Sequence, residues 1–312
     1  MQTNTKSYNA GIAASKRRRN ILLLLMISPA MGLLLVFNYV PMYGIIIAFK
    51  KYNLFLGFFD SPWVGLDNFR YFLTDATFWR VMRNTIRINL YDIAFGFSAP
   101  IIFALLVNEV ANMKYKKIVQ TISYMPNFLS WVVVSGLVIG LLAPTHTGLV
   151  NMALTRIFGI EPIYFMANKD MFIPVIVTAD IWKNVGFSSI LYFATIAGID
   201  TSLYEAAAID GAGRLKMARY ITLPGILPMI TIMLIFRVAG IFGIGFERIF
   251  LMQNNLTREV SEVISTYVYN LGIEKAQFSL TTAIGLTQSI LGLFLVYSSN
   301  TAAKKLVGYS FY

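Results

Sequence analysis

Residues 205–224 read EAAAIDGAGRLKMARYITLP. Glu205, Ala206, Ala207 and Ala208 are strong helix formers, so Tyr204 to Lys216 has helical composition. Thr201 or Ser202 can cap that helix; with Ser202 as N-cap, Glu205 falls at the third helical position and completes a capping box. Gly211 and Gly213 then break or bend it. Leu215, Met217, Tyr220 and Ile221 make a small amphipathic turn. Pro224 and Pro228 fall at the start of the next helix, where a first turn tolerates proline. The stretch predicts a short helix, bent at a glycine and standing away from the apolar segment behind it. Small residues at such a bend let another protein's surface approach closely.

Long apolar runs lie on both sides of this stretch. A membrane-crossing helix needs about 20 predominantly apolar residues. Six segments qualify: 21–49, near 87–107, 118–143, near 171–199, near 226–246 and near 278–303. The composition agrees, with 57% hydrophobic and 13% charged residues and a mean hydropathy of +0.64. A soluble domain averages about 25% charged. The sequence therefore predicts an all-α integral membrane protein with six spans in one domain. A basic segment, 1–20, leads into the six-span domain, 21–303, and 304–312 form a tail. Lys16, Arg17, Arg18 and Arg19 ahead of the first run resemble a signal peptide. A signal's apolar region is about 7–15 residues long and ends at a small-residue cleavage site, and the uncharged run Ile21 to Phe49 does neither. It reads as a retained first span.

Six spans put both termini on one side, and the cluster Lys16–Arg19 places that side in the cytoplasm. Lys114, Lys116 and Lys117 mark the next inside loop. The loop 199–225, which holds the quoted stretch, then also lies inside. The net charge of +11 sets orientation in a membrane protein rather than nucleic-acid binding. Outside, 50–83 is rich in aromatics (Trp63, Phe69, Tyr71, Phe72, Phe78, Trp79) suited to the headgroup level or to an external partner. Segment 256–277 reads as a short amphipathic helix at the interface.

The pattern Glu205-Ala206-Ala207, three residues, Gly211, nine residues, then Ile221-x-Leu223-Pro224 resembles the EAA loop of type I ABC-import permeases. Asp210 before Gly211 also fits. The resemblance extends over nearly the whole chain. The opening KRRRNILLLLMISPAMGLLLVFNYVPMYGIIIAFKKYN, the outer SPWVGLDNF and the closing NTAAKKLVGYSFY are similar to polysaccharide-type permeases of the LplB group, within the larger carbohydrate-uptake permease family. The resemblance implies the MetI-like permease fold, with both termini cytoplasmic, in a bacterial cell membrane. It implies that the EAA helix docks in a cleft of an ATPase subunit, through contacts centred on Glu205, Ala206, Ala207, Asp210, Gly211 and Ala212. It implies as partners a second related permease, two ABC ATPase subunits that bind ATP and Mg, and an extracellular solute-binding lipoprotein that delivers an oligosaccharide. The chain itself is expected to hold no cofactor and to catalyse nothing, since it lacks the phosphate-binding pattern G-x-x-x-x-G-K-[ST].

Ionisable groups inside a membrane are costly and face a cavity or a partner. Arg87, Asp92, Asp180, Lys183 and Arg237 fall within the predicted spans. Asp180 and Lys183, three apart, share a helix face and read either as a self-neutralising ion pair or as the polar lining of a sugar pathway. Phe187 lies one turn further on, beside Trp182, Tyr192 and Phe193, and an aromatic ring suits the apolar face of a sugar. Arg237 has no acid within four residues, so it needs a partner from another helix, a cavity or the interface. Arg87, Asp180, Lys183, Phe187 and Arg237 are the candidate substrate pathway. The basic members favour an anionic, uronate-containing oligosaccharide. Gly136-x-x-x-Gly140 permits close helix approach, and Pro41, Pro126 and Pro174 predict kinks.

With no Cys and a single His, His146, the sequence excludes disulfides, thiolate chemistry and His-cluster metal sites. A membrane-embedded enzyme would need an acid–base cluster or activated nucleophile that is not evident. An ion-driven secondary transporter would show inverted repeats, and none is apparent. A non-carbohydrate ABC importer remains compatible with the EAA loop alone.

Overall fold

The apolar runs fold into helices. The computed structural model describes residues 3–145, 148–243 and 245–308, so His146 and the end of the tail lie outside the described residues. Among the described residues the only β feature is an isolated bridge between Lys50 and Trp63. The chain forms two compact units, residues 1–69 with 278–286 and residues 70–277 with 287–312.

In the first unit, helix Thr3–Leu34 passes through a π segment, Leu35–Tyr39, into a 3-10 segment, Val40–Phe49. The change at Val40 falls beside Pro41, whose missing N–H interrupts the α ladder. Residues 16–43 of this apolar stretch are exposed, and Ala48 is its one buried residue. A small knob follows it. Buried Lys50 donates to the carbonyls of Phe58 and Phe59 at 2.6 and 3.1 Å and stacks on Trp63 at 5.0 Å. Asn68 donates to the carbonyls of Ala48 and Lys50, closing the knob. The outer aromatic segment is thus ordered around a lysine.

The second unit is built on helix Lys169–Ala197, which runs unbroken through Pro174. Its N-terminal half joins Ile88, Ile249, Met252 and Val263 in one core around Phe172, Ile173, Ile176 and Val177. Its C-terminal half packs Tyr192 and Ile196 against Ala104 and Ile226. Helix Ala76–Tyr91 passes through a π segment, Asp92–Phe97, into Ser98–Asn108. Helix Leu223–Ala239 is shorter than the expected span 226–246, because Gly240 caps it and a turn follows.

Among the described residues four helical stretches, 16–49, 76–108, 214–239 and 278–305, are long and apolar enough to cross a membrane. The expected uninterrupted span 118–143 is instead broken. Met113–Phe128 and Trp131–Leu141 meet at 101° and would make a fifth crossing if taken together. Pro126 tightens the chain into a 3-10 turn, Leu129 is extended, and Ser130 caps the new helix by accepting from Val133 N–H. Gly136 and Gly140 have no atom within 4 Å of an added Cβ, so the close approach expected of them is not made within the chain. It occurs at Gly186, where an added Cβ would lie 2.1 Å from the Ser123 carbonyl oxygen.

Segment 256–277 departs from the expected interfacial helix. It is three short pieces, Arg258–Ser261, Ile264–Tyr269 and the π segment Asn270–Glu274. Val263, Ile264, Tyr267 and Leu271 are buried, and so is Glu262. Its hydrogen bonds explain the difference. Asn84 donates to the carbonyls of Glu259 and Glu262, Ile264 N–H donates to Thr85 Oγ1, and Arg80 pairs with Glu262 at 2.9 Å. The alternating pattern covers the second-span helix, not a bilayer surface.

Candidate functional site

Two constructions in the second unit bear on function: the helix of the 199–225 loop and a polar cleft behind it. The loop helix is Thr201–Ile209. Its N-cap is Asp200, whose carboxylate accepts from Ser202 N–H at 2.9 Å. This corrects the expected Ser202 cap and its capping box with Glu205. Asp200 is extended and carries an ionised acceptor, so the helix starts sooner and Ser202 becomes a donor inside the first turn. The cap hydrogen bond holds the Asp200 carboxyl below its ordinary value.

The helix closes at Gly211, which has φ +75°. Gly211 N–H donates to the Ala208 carbonyl and Ala212 N–H to that of Ala207, at 3.1 and 2.9 Å. These two bonds form a Schellman closure, and glycine takes the left-handed position without a Cβ penalty. The expected glycine bend is therefore a helix stop. Gly213 then caps Arg214–Met217, and a π segment, Ala218–Thr222, leads directly into Leu223–Ala239. Tyr204 and Thr222 share a hydrogen bond of 2.9 Å, which ties the loop helix to that junction. Glu205, Ala206, Asp210 and Gly211 are exposed, and Ala207 and Ala212 are half-buried. Ile209 and Leu215 are 87% and 89% exposed, an apolar surface that nothing in the chain covers.

The cleft measures about 690 Å³. Asp180, Asn184, Phe187 and Leu191 line it at the i, i+4, i+7, i+11 spacing of one helix face. Met233, Phe236 and Arg237 add a second wall, and Gly96, Phe97 and Pro100 a third. Behind it lies a buried charge cluster. Asp92, the first residue of the π segment, is fully buried. Arg248 Nη1 donates to Asp92 Oδ1 at 3.1 Å, and Arg248 Nη2 donates to Asp92 Oδ2. Arg237 Nη2 lies 3.2 Å from Asp92 Oδ2, and Arg248 Nη1 lies 3.4 Å from Asp180 Oδ1. Two carboxylates and two guanidiniums thus neutralise one another. Gly245, at φ +68°, makes room for the cluster, since an added Cβ would sit 2.7 Å from Arg248 Nε.

Of the five expected pathway residues, the cleft brings together Asp180, Phe187 and Arg237. Lys183 is elsewhere. It is buried, donates to the Asn127 carbonyl at 2.7 Å and stacks on Trp131 at 5.8 Å. The expected Asp180–Lys183 ion pair does not form, because Arg248 and Asn184 occupy Asp180 while the break after Phe128 offers Lys183 a carbonyl. Arg87 is exposed, at the edge of its helix's buried face and beside Trp79, Arg83 and Leu90. It does not line the cleft. Arg237 finds an acid on another helix and also lines the cleft, two of the outcomes that its isolation in the sequence leaves open. Arg248 was not among the expected residues. It follows Glu247 in a segment read as an outer loop, yet its side chain is 2% exposed.

Comparison with known proteins adds a family. Residues 96–306 match the family described as binding-protein-dependent transport system inner membrane component. Protein LplB of Bacillus subtilis (strain 168) is 42% identical over 94% of this chain and 91% of its own length. The polygalacturonan/rhamnogalacturonan transport system permease protein YteP of the same organism is 44% identical over 91% of this chain and 88% of its own. A bacterial ABC transporter involved in import of the acidic polysaccharide alginate superposes with a TM-score of 0.86 at 38% identity. That match covers 94% of this chain and 99% of the other. The bacterial alginate transporter in complex with an alginate pentasaccharide-bound periplasmic protein gives 0.87 at 38% identity, over 95% and 98% of the two chains.

Proposed function

Because this chain belongs to the family of binding-protein-dependent transport system inner membrane components, we propose that it is the permease subunit of an ATP-driven importer of oligosaccharides. It works beside a second permease and two separate ATPase subunits in a bacterial cell membrane, and an external solute-binding protein supplies its cargo. The chain changes nothing chemically in that cargo.

The observation that carries the reading is the loop helix 201–209. It is capped at both ends and bares Ile209, Leu215 is bared just beyond its stop, and the Tyr204–Thr222 hydrogen bond ties it to the π segment that leads into an apolar helix whose last turn reaches the cleft. An exposed helix tied in this way to a cleft-lining span suits the transmission of movement from an ATPase to the pathway. The proposed cycle is alternating access. Closure of the ATPase pair pushes on Glu205–Ala212, and the cleft changes the side to which it opens.

A carbohydrate cargo is supported by the aromatic walls Phe97, Phe187 and Phe236 set among Asp180, Asn184 and Arg237. It is also supported by the cargoes named for YteP and the alginate transporter. Both are acidic polysaccharides, which favours a uronate-containing oligosaccharide.

Gly211→Asp tests the coupling role. Open space surrounds Gly211, and Asp tolerates its left-handed backbone better than most residues. Asp still strains the left-handed position, and Gly211→Asn, which carries a like strain without the charge, separates that strain from the surface effect. The assembled transporter should lose substrate-stimulated ATP hydrolysis. Normal assembly with full stimulation in this variant would refute coupling through the loop.

A further inference from the structure

The charge cluster behind the cleft is neutral as a whole, with Asp92 and Asp180 against Arg237 and Arg248. Net positive potential therefore cannot be what it offers an anion. What it offers is one exchangeable contact. Arg248 is buried and grips Asp92 with both terminal nitrogens, so Asp92 keeps a paired arginine without Arg237. Arg237 holds Asp92 through a single nitrogen at 3.2 Å, has a side chain 29% exposed, and lines the cleft. A planar guanidinium prefers two parallel bonds to a carboxylate, and the single contact to Asp92 does not satisfy that preference.

The geometry points to Arg237 as an occupancy sensor: a carboxylate of the cargo captures its guanidinium from Asp92, and release of that tie starts the coupling movement. The inference rests on the uronate reading above. The tie joins two elements built to move. Asp92 opens the π segment 92–97 in the second span, and π segments inside α-helices recur at functional sites. Arg237 sits in the last turn of helix Leu223–Ala239, about 21 Å from its first residue. That first residue follows the π segment whose Thr222 is hydrogen-bonded to Tyr204 of the loop helix. One further bond, from Asn89 Nδ2 to the Ile241 carbonyl at 2.7 Å, crosses between the same two regions. A neutral sugar can meet Asn184, Asp180 and the aromatic walls, but it has nothing to exchange for Asp92.

The test uses the purified complete transporter without its solute-binding protein, so that only the transmembrane site selects. Trigalacturonate and trimannuronate are compared with their carboxyl-reduced neutral counterparts, by direct binding and by ATP hydrolysis. The wild type should bind at least one acid trimer more tightly than its reduced form. Arg237→Gln should remove about tenfold of that preference, the worth of a charge-assisted hydrogen-bonded pair. Arg237→Lys, which keeps charge but not the fork, should recover only part. Asp92→Asn should raise ATP hydrolysis in the absence of sugar, because the tie is already weakened. Equal loss of acid and neutral binding in Arg237→Gln would overturn the inference, as would unchanged sugar-free hydrolysis in an assembled Asp92→Asn transporter. Wild-type binding of neutral and acid trimers alike would overturn it while leaving the carbohydrate reading standing. Binding of neither would remove both.

Discussion

At the scale of single residues, the cluster shows how a buried charge is sustained. Removing one partner of a buried ion pair costs about 3–5 kcal/mol, because the other charge is left in place. Arg248 holds two acids at once, and its side chain is 2% exposed. Arg248→Met should therefore destabilise the chain by about that amount. The measurement is the thermal midpoint of the detergent-purified transporter, compared with Arg87→Met, an exposed arginine that should change it little. An equal midpoint for the two variants would show that the cluster does not hold the fold. Three of the four members of this cluster are legible in the sequence. Asp92, Asp180 and Arg237 stand out because apolar residues surround them. Arg248 does not, since Glu247 and the polar stretch beyond it resemble a loop. Spacing alone left the partner of Asp180 open. Residues three apart share a face, but that does not say which helix faces them, and Arg248 reaches Asp180 where Lys183 does not.

At the scale of elements, the caps decide where the loop helix begins and ends. Its C-terminal stop was legible, since only a glycine fits the left-handed residue of a Schellman closure without strain. Its N-terminus was not, because Asp200, Thr201 and Ser202 are all good caps and only the backbone angles distinguish them. Asp200→Ala should lower stimulated ATP hydrolysis by fraying the first turn, whereas Asp200→Ser should keep it, and equal activity of the two would exclude a role for the cap. The sign of its pH dependence follows from the depressed carboxyl. The stabilisation is fully present above the ordinary value of 3.8 and is lost as pH falls through the lower folded value. Amide protection at Ser202, corrected for intrinsic exchange, should therefore drop at pH below about 4 in the wild type and not in Asp200→Ser. The break after Phe128 is the element that hydropathy could not reveal. Its residues are as apolar as a continuous span, and Pro126 with Ser130 turns the helix by 101° without changing that composition.

At the scale of the whole molecule, the order of crossings is the largest claim carried by sequence patterning. Helix Lys169–Ala197 is about 44 Å long, enough to cross a bilayer, although it carries Asp180 and Lys183. Length and composition together give four crossings among the described residues, or five with the bent pair, and counting this helix as well would make the expected six. The chain contains no cysteine, so single cysteines can report sidedness without a background. Leu215, in the loop helix region, is 89% exposed, and Leu256, beyond the next span, is 65% exposed. Only helix Leu223–Ala239 separates them as a crossing. Leu215→Cys should react with a membrane-impermeant maleimide in inverted vesicles and resist it in intact cells. Leu256→Cys should behave the opposite way. Co-expressed ATPase subunits should shield Leu215→Cys, because the surface it shares with Ile209 is the one proposed to dock. Labelling of both cysteines from the same side would remove the crossing between them. It would also move the loop helix away from ATP, and the coupling reading would fall with the topology. Opposite sidedness without shielding would keep the topology and shift the docking surface elsewhere on the loop.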